Sequence, residues 1–397
     1  MPGFEVFGDK ERAQVQDVLD SGVLMRYGFD PMRNGHHKAA EFEERFAEVM
    51  DVNHCQMTTS GTTALTVALA AAGVGAGDEV IMPTFTFVAS FESILALGAV
   101  PILCEVDDTL CLDASAVEQV ITDKTRVIMP VHMCGSMADL DPLIALSRKH
   151  NLILLEDACQ AIGGTYDGKR LGTLGDLGCF SFDFVKTITC GEGGAVITNN
   201  DAYADVMHMY TDHGHDHVGT DRGAESHPFL GYNYRISELH AAVGLGQLDR
   251  FDSILEKQKE NYDLMAAELQ AIKGITLRTI PAGATQNHSF FNFFLEDEAS
   301  ARKAAAALKE HGVPVCFYWY DNNWHYHRKW DHLKNPDTLM KLPAETRAGL
   351  EYLENATYPQ SDYWLGRNIS CLVKVGWTAD ETRAHARSIV AAINEVL

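Results

Sequence analysis

The chain has 397 residues, 46% of them hydrophobic, enough for one large core and a second, smaller one. No stretch reaches the roughly 18 uninterrupted apolar residues of a membrane span. With 32 basic and 55 acidic residues the formal net charge is -23, which excludes the basic face that nucleic-acid binding needs. Any anion site must then be built locally, from helix N-termini and a few placed donors.

The N-terminus, Met1-Pro2-Gly3-Phe4-Glu5-Val6 followed by Asp9, Lys10, Glu11 and Arg12, lacks the basic start and apolar run of a signal peptide, so a cytosolic chain is expected. From about residue 50 to 200, short apolar runs alternate with amphipathic stretches. Asp78–Pro83, Val100–Cys104, Arg126–Val131 and Leu152–Glu156 read as buried strands: short, rich in Val, Ile and Leu, and bounded by turn residues. Thr63–Ala72, Ser90–Leu97 and Leu140–His150 read as the helices between them. This alternation predicts an α/β domain with a mainly parallel sheet, whose ligands bind at the carboxyl ends of the strands.

Cys179–Asp183 and Ala195–Thr198 read as two further strands around a Gly-rich crossing at Gly191, Gly193 and Gly194. Ile236–Ile272 reads as one long helix, with Leu245, Leu248, Phe251 and Leu255 at helical spacing. Beyond Gly274, fresh strand signals at Phe290–Phe294 and a helical C-terminus suggest a separate small domain. The expected division is 1–250 for an N-terminal segment with the large domain and 251–397 for the small one. The nine cysteines, dispersed from Cys55 to Cys371 without a CxxC pair, read as free, mostly buried thiols.

Several polar segments fall at predicted strand ends, and together they offer what aldehyde-cofactor chemistry requires. Ser60-Gly61-Thr62-Thr63 opens a helix, where first-turn N–H groups and the helix dipole attract a phosphate; taken alone, it is more commonly a plain N-cap. Phe87 offers a flat ring for a heteroaromatic cofactor, although a single Phe is more often core. Asp157, in Glu156-Asp157-Ala158-Cys159-Gln160, can pair with a pyridinium N–H or merely cap a helix. Lys186 follows Ser181-Phe182-Asp183-Phe184-Val185 and precedes Gly191-Glu192-Gly193-Gly194. Apolar neighbours disfavour its ammonium form and so favour a nucleophilic amine, against the ordinary reading of a solvated surface charge.

This ordered set, with Gly231-Tyr232-Asn233-Tyr234-Arg235, resembles the DegT/DnrJ/StrS family of sugar aminotransferases, fold type I enzymes of the aspartate-aminotransferase superfamily. The resemblance covers about residues 30 to 390. It implies a large domain with a mainly parallel, seven-stranded mixed sheet, a small C-terminal α+β domain, and pyridoxal 5'-phosphate as cofactor. Lys186 would hold the cofactor as a Schiff base and shuttle the proton. Asp157 would hold the pyridine nitrogen, Gln160 the phenolic oxygen and Phe87 the ring face. Gly61, Thr62 and Ser181 would bind the phosphate, joined by Asn233 from a neighbouring subunit, so a homodimer with shared sites is implied. Two departures stand out: residue 183, often His or Asn in the family, is Asp, and the usual Leu-Pro late in the chain reads Leu372-Val373.

His213-Gly214-His215-Asp216-His217 allows a metal reading, but in this family such a His-Gly lies near the active site, so His213 and His215 are taken as substrate-side residues and no metal is expected. Tyr320 and His325, in an aromatic cluster spanning Tyr318 to His327, are candidates to line a sugar pocket or to form small-domain core. Gly73-Val74-Gly75-Ala76-Gly77 precedes a strand instead of following one and is a turn, not a nucleotide fingerprint. Three functions are open: a transaminase with L-glutamate as donor and a keto sugar as acceptor, a cofactor-dependent sugar dehydratase, and a non-catalytic cofactor-binding regulator. Dehydrating relatives lack the lysine, which is present here. Most relatives act on nucleotide-linked 3- or 4-keto hexoses. Leu24-Met25-Arg26-Tyr27-Gly28 resembles the branch that aminates an 8-oxo-3,8-dideoxy-octulosonate for lipopolysaccharide, with Arg26, Tyr27 and Arg235 as candidates for the acid sugar.

Overall fold

The computed structural model describes residues 3–219, 222–334 and 341–397. Seven strands lie side by side in the order His54–Thr58, Gly194–Thr198, Leu177–Ser181, Ile153–Asp157, Thr125–Ile128, Glu79–Pro83 and Val100–Cys104. All neighbours pair in parallel except those of Gly194–Thr198, which runs antiparallel to both its neighbours. The expected α/β fold with a mainly parallel seven-stranded mixed sheet is present. Its strands are apolar along nearly their whole length because helices cover both faces.

One face packs against the helices Gly61–Ala71 and Ala89–Ala96, whose Leu65, Leu69, Phe91 and Ile94 are buried with Val80, Met82 and Val196 of the sheet. Trp330, Leu350 and Tyr358, from much later in the chain, join this cluster. The helix Lys38–Met50 brings Phe42 and Phe46 against Phe180 and Phe182, with ring centroids 5.2 to 5.3 Å apart for the cross-element pairs. Burying such a ring contributes on the order of 1.5–3 kcal/mol.

The single long helix expected over Ile236–Ile272 is two helices, Glu238–Leu248 and Phe251–Leu269. Arg250 leaves helical geometry at φ -108 and ψ 0. The break has a packing cause. Gln247 and Arg250 both bond the Glu11 carboxylate, and Gly246 lies so close that a Cβ there would come within 2.7 Å of the Glu11 backbone. Apolar periodicity continues across the break, so the sequence does not reveal it. After it, Phe251 and Ile254 pack with Phe180, whereas Met265 and Leu269 pack with Phe293. A second sheet, in the order Thr276–Leu277, Phe290–Phe294, Asn368–Leu372 and Cys316–Phe317, is covered by Glu298–Glu310 and Ala379–Asn394. Among the described residues no helix is long and apolar enough to cross a membrane.

Candidate functional site

The parallel strands deliver their carboxyl ends to one edge of the sheet, and a cavity of about 360 Å³ opens there. Gly61, Thr62, Phe87, Asp157, Gln160, Ser181 and Lys186 all line it. Seven candidates from seven positions across about 125 residues of sequence thus meet in one place.

At one end the helix Gly61–Ala71 points its N-terminus inward. Ser60 caps it, accepting from Thr63 N at 3.1 Å, while Thr63 Oγ1 accepts from Ser60 N at 2.9 Å. The cap is present and satisfies Thr63, and Gly61 and Thr62 of the first turn line the cavity. Gly61 is required by space. A Cβ at that position would lie 2.7 Å from Ser181 Cβ and 3.1 Å from Ser181 Oγ. Gly194 meets a similar constraint, with Ser60 O only 2.3 Å from the place of a Cβ.

Asp157 ends its strand without starting a helix, so the capping role does not arise. It is 3% exposed. Its Oδ2 accepts from Ser90 Oγ at 2.9 Å and its Oδ1 from Cys159 N at 3.2 Å, with no cation in ion-pair contact among the described residues. A buried carboxylate held only by neutral donors has remaining acceptor capacity for a cationic N–H. The neighbouring Glu156 is buried as well, and is fully occupied by His132 Nε2 at 3.0 Å and by the N–H groups of Gly172, Leu174 and Gly175. Gln160 turns its Oε1 to Cys134 N at 3.1 Å.

Lys186 lies in a loop closed by Lys186 N donating to Asp183 O and by a bridge between Asp183 and Gly191. Its surroundings are less apolar than its neighbours in sequence imply. Phe182 and Ile188 are buried, but Phe184 and Val185 are each 51% exposed, and Phe184 stacks on Phe4 at 4.2 Å. No carboxylate is in ion-pair contact with the Lys186 amine among the described residues.

Phe87 faces Trp324 and His325 at ring-centroid distances of 5.5 and 5.4 Å. The segment carrying these two rings is fixed by Thr86 N donating to His325 O and Val88 N to Trp324 O. Burial, reinforced by the Lys186 ammonium, pushes the His325 imidazole down to about 3. His325 is therefore where the aromatic pattern placed it, in the cavity wall. Tyr320 is not: it is buried against Tyr326 and accepts from Arg328 outside the cavity.

The remaining candidates gather elsewhere. Arg26 pairs with Glu43 at 2.5 Å, and Arg235 pairs with the buried Asp212. Tyr27 packs its ring 4.5 Å from His217, His215 pairs with Glu225 at 2.7 Å, and His213 accepts from His227 through its carbonyl. None of these lines the Lys186 cavity of its own chain. Asn233 is also outside it, exposed, on a segment whose Tyr234 O accepts from Thr59 N. Sequence reading missed Ser90, for which the four-residue spacing from Thr86 is a signal; Trp324, within the aromatic cluster from Tyr318 to His327, lines the cavity.

The cavity fits pyridoxal 5'-phosphate: an unpaired amine, a buried carboxylate with spare acceptor capacity, a flat ring, and a capped helix N-terminus beside a serine hydroxyl. Comparison with known proteins agrees. The family model described as DegT/DnrJ/EryC1/StrS aminotransferase matches residues 6–346. GDP-perosamine synthase of Caulobacter vibrioides is 45% identical over 216 residues, 54% of this chain and 57% of that one, so the chain spans little more than half of that relative's length. L-glutamine:2-deoxy-scyllo-inosose aminotransferase of Streptomyces paromomycinus is 38% identical over 314 residues, 75% of this chain and 73% of that one. The crystal structure of an aminotransferase from Psychrobacter cryohalolentis superimposes with a TM-score of 0.85 at 28% identity, covering 98% of each chain. The chain belongs to the DegT/DnrJ/EryC1/StrS aminotransferase family, and pyridoxal 5'-phosphate is its cofactor.

Proposed function

We propose that this protein transfers an amino group from L-glutamate to a keto sugar. The carrying observation is the convergence of Lys186, Asp157, Phe87 and the Gly61–Ser181 anion cradle on one cavity. When bound, the cofactor supplies an electron sink for the carbon that exchanges its amine. Each residue then has a task. The N–H groups of Gly61 and Thr62, with Ser181 Oγ, bind the phosphate. Asp157 keeps a proton on the ring nitrogen, Gln160 contacts the phenolic oxygen, and Phe87 covers one ring face. Lys186 Nζ would hold the cofactor and carry a proton beside the reacting carbon. Retention of Lys186 favours transamination over dehydration and over a non-catalytic role.

The acceptor we favour is a nucleotide-linked 3- or 4-keto hexose. An 8-oxo-3,8-dideoxy-octulosonate carries a carboxylate, and the arginines that suit it, Arg26 and Arg235, are each engaged by an acid outside the cavity. The relative named for GDP-perosamine supports the first acceptor, and the one named for L-glutamine makes that amine an alternative donor. Turnover of the octulosonate against nucleotide-linked keto hexoses, with L-glutamate and then L-glutamine as donor, decides among them. A purified protein whose visible absorbance neither L-glutamate nor L-glutamine changes would overturn the proposal.

The active unit we propose is a homodimer with two sites built from both chains. Phe29, Met32, Phe184, Val185, Leu230 and Tyr232 are all more than half exposed; Phe184 and Val185 adjoin Lys186 in sequence, and Leu230 and Tyr232 adjoin Asn233. Asn233, unable to reach its own cavity, is then free to donate to the partner's phosphate.

A further inference from the structure

The buried Asp157 carboxylate is the end of a hydrogen-bond chain that begins on a different strand end. Ser90 Oγ donates to Asp157 Oδ2 at 2.9 Å, and Ser90 Oγ lies 2.7 Å from Thr86 Oγ1. All three groups are out of water: Thr86 is 0%, Ser90 1% and Asp157 3% exposed. The direction of the chain follows from proton inventory. A carboxylate only accepts, so Ser90 spends its single hydroxyl hydrogen there, and the short contact to Thr86 must be filled by the hydrogen of Thr86. The other acceptor within reach of Thr86, Phe87 O, is farther away at 3.3 Å. Thr86 lies just past the end of the strand Glu79–Pro83 and Ser90 in the first turn of the helix Ala89–Ala96, four residues on.

We propose that Ser90, oriented by Thr86, is a positioning residue for transamination: it fixes the plane of the Asp157 carboxylate, so that the carboxylate is held to accept from the N–H of the cofactor's ring nitrogen. The inference rests on the assignment of Asp157 to that nitrogen. Its physical basis is that, among the described residues, no cation is in ion-pair contact with Asp157. A buried carboxylate is held by the donors that face it, and among the described residues these are Ser90 Oγ, Cys159 N and the Cys159 thiol. The Cys159 N–H is backbone and fixed by the fold, and a thiol is a weak donor, so Ser90 is the strong side-chain donor. Cooperative polarisation by Thr86 strengthens it further. Loss of Ser90 would free the Asp157 carboxylate to turn, loosen its bond to the ring nitrogen and weaken the electron sink, leaving the phosphate donors untouched.

The test compares Ser90→Ala, Ser90→Thr, Ser93→Ala and Asp157→Asn as cofactor-loaded enzymes. Ser93 is a control on the same helix turn, since its Oγ donates only to Ser90 O. Three readouts are taken: cofactor content, the pH at which the visible absorbance of the Lys186-bound cofactor changes, and kcat and KM for L-glutamate. Ser90→Ala should retain cofactor. Its absorbance midpoint should move up by about half to one pH unit, and kcat should fall about tenfold, with KM within about twofold, the scale of one hydrogen bond to a buried charge. Ser90→Thr keeps a hydroxyl and should restore both; Ser93→Ala should move neither. If Asp157→Asn alters the spectrum but Ser90→Ala does not, the relay fails and the Asp157 assignment survives. If Asp157→Asn leaves the spectrum unchanged, both fail. A Ser90→Thr variant as impaired as Ser90→Ala, or a Ser93→Ala variant that shifts equally, overturns the proposal in favour of mere packing.

Discussion

Gly61 presses against Ser181 so tightly that a methyl group on Gly61 would come 2.7 Å from Ser181 Cβ. The two residues lie 120 positions apart, and their contact joins a helix N-terminus to a strand end in the cradle assigned to the cofactor phosphate. Gly61→Ala must therefore push Ser181 or the helix aside, at a cost of about 1–3 kcal/mol. The expected result is a protein that folds with a lowered Tm and binds pyridoxal 5'-phosphate at least about tenfold more weakly, measured by cofactor titration.

Lys186→Ala should still bind cofactor through the cradle yet lose about 10³-fold or more in transamination, because one amine is proposed as both tether and proton carrier. Borohydride reduction of the wild-type protein followed by peptide mapping should mark Lys186. A label on a different lysine refutes the assignment.

Asp157→Asn keeps the shape of the site and removes the carboxylate proposed to hold the ring proton. Turnover should fall roughly 10²-fold while cofactor occupancy stays within about twofold, as expected when a preorganised charge is lost but the contacts are not. Near-normal turnover in that variant would count against Asp157 as the ring-nitrogen partner.

His325 yields a prediction in pH. Its imidazole is held down at about 3 by burial and by the Lys186 ammonium, well below the ordinary value near 6.5. Sites that stay neutral when folded bind no proton where the unfolded chain does. The contribution of His325 to stability is thus complete above about pH 6.5 and is lost as pH falls from there towards 3. His325→Gln should shift the acid-unfolding midpoint to lower pH and leave stability at pH 8 changed far less. Equal destabilisation at both pH values would show that packing alone matters at this position.

The shared-site dimer is tested by complementation. Lys186→Ala and Asn233→Ala chains should each be poorly active alone, and mixed chains should regain activity from the one fully equipped site in each heterodimer. A monomer with full activity, or mixtures that never recover, would exclude sharing.

The sequence by itself determined the elements and the order of the cofactor residues. Strand and helix periodicity, the Ser60 cap and the block from Ser181 through Lys186 to Gly194 are local features, set within one or two turns of chain, so residue pattern encodes them directly. Tertiary structure decided what these residues face. Ser90 meets Asp157 across 67 positions, Trp324 and His325 arrive against Phe87 from more than 230 positions away, and Arg26 and Arg235 are taken up by Glu43 and Asp212. The helix break at Arg250 likewise depends on Glu11, far earlier in the chain. A buried polar or charged group must find its partner wherever packing places one, and that requirement leaves no periodic trace in the sequence around it.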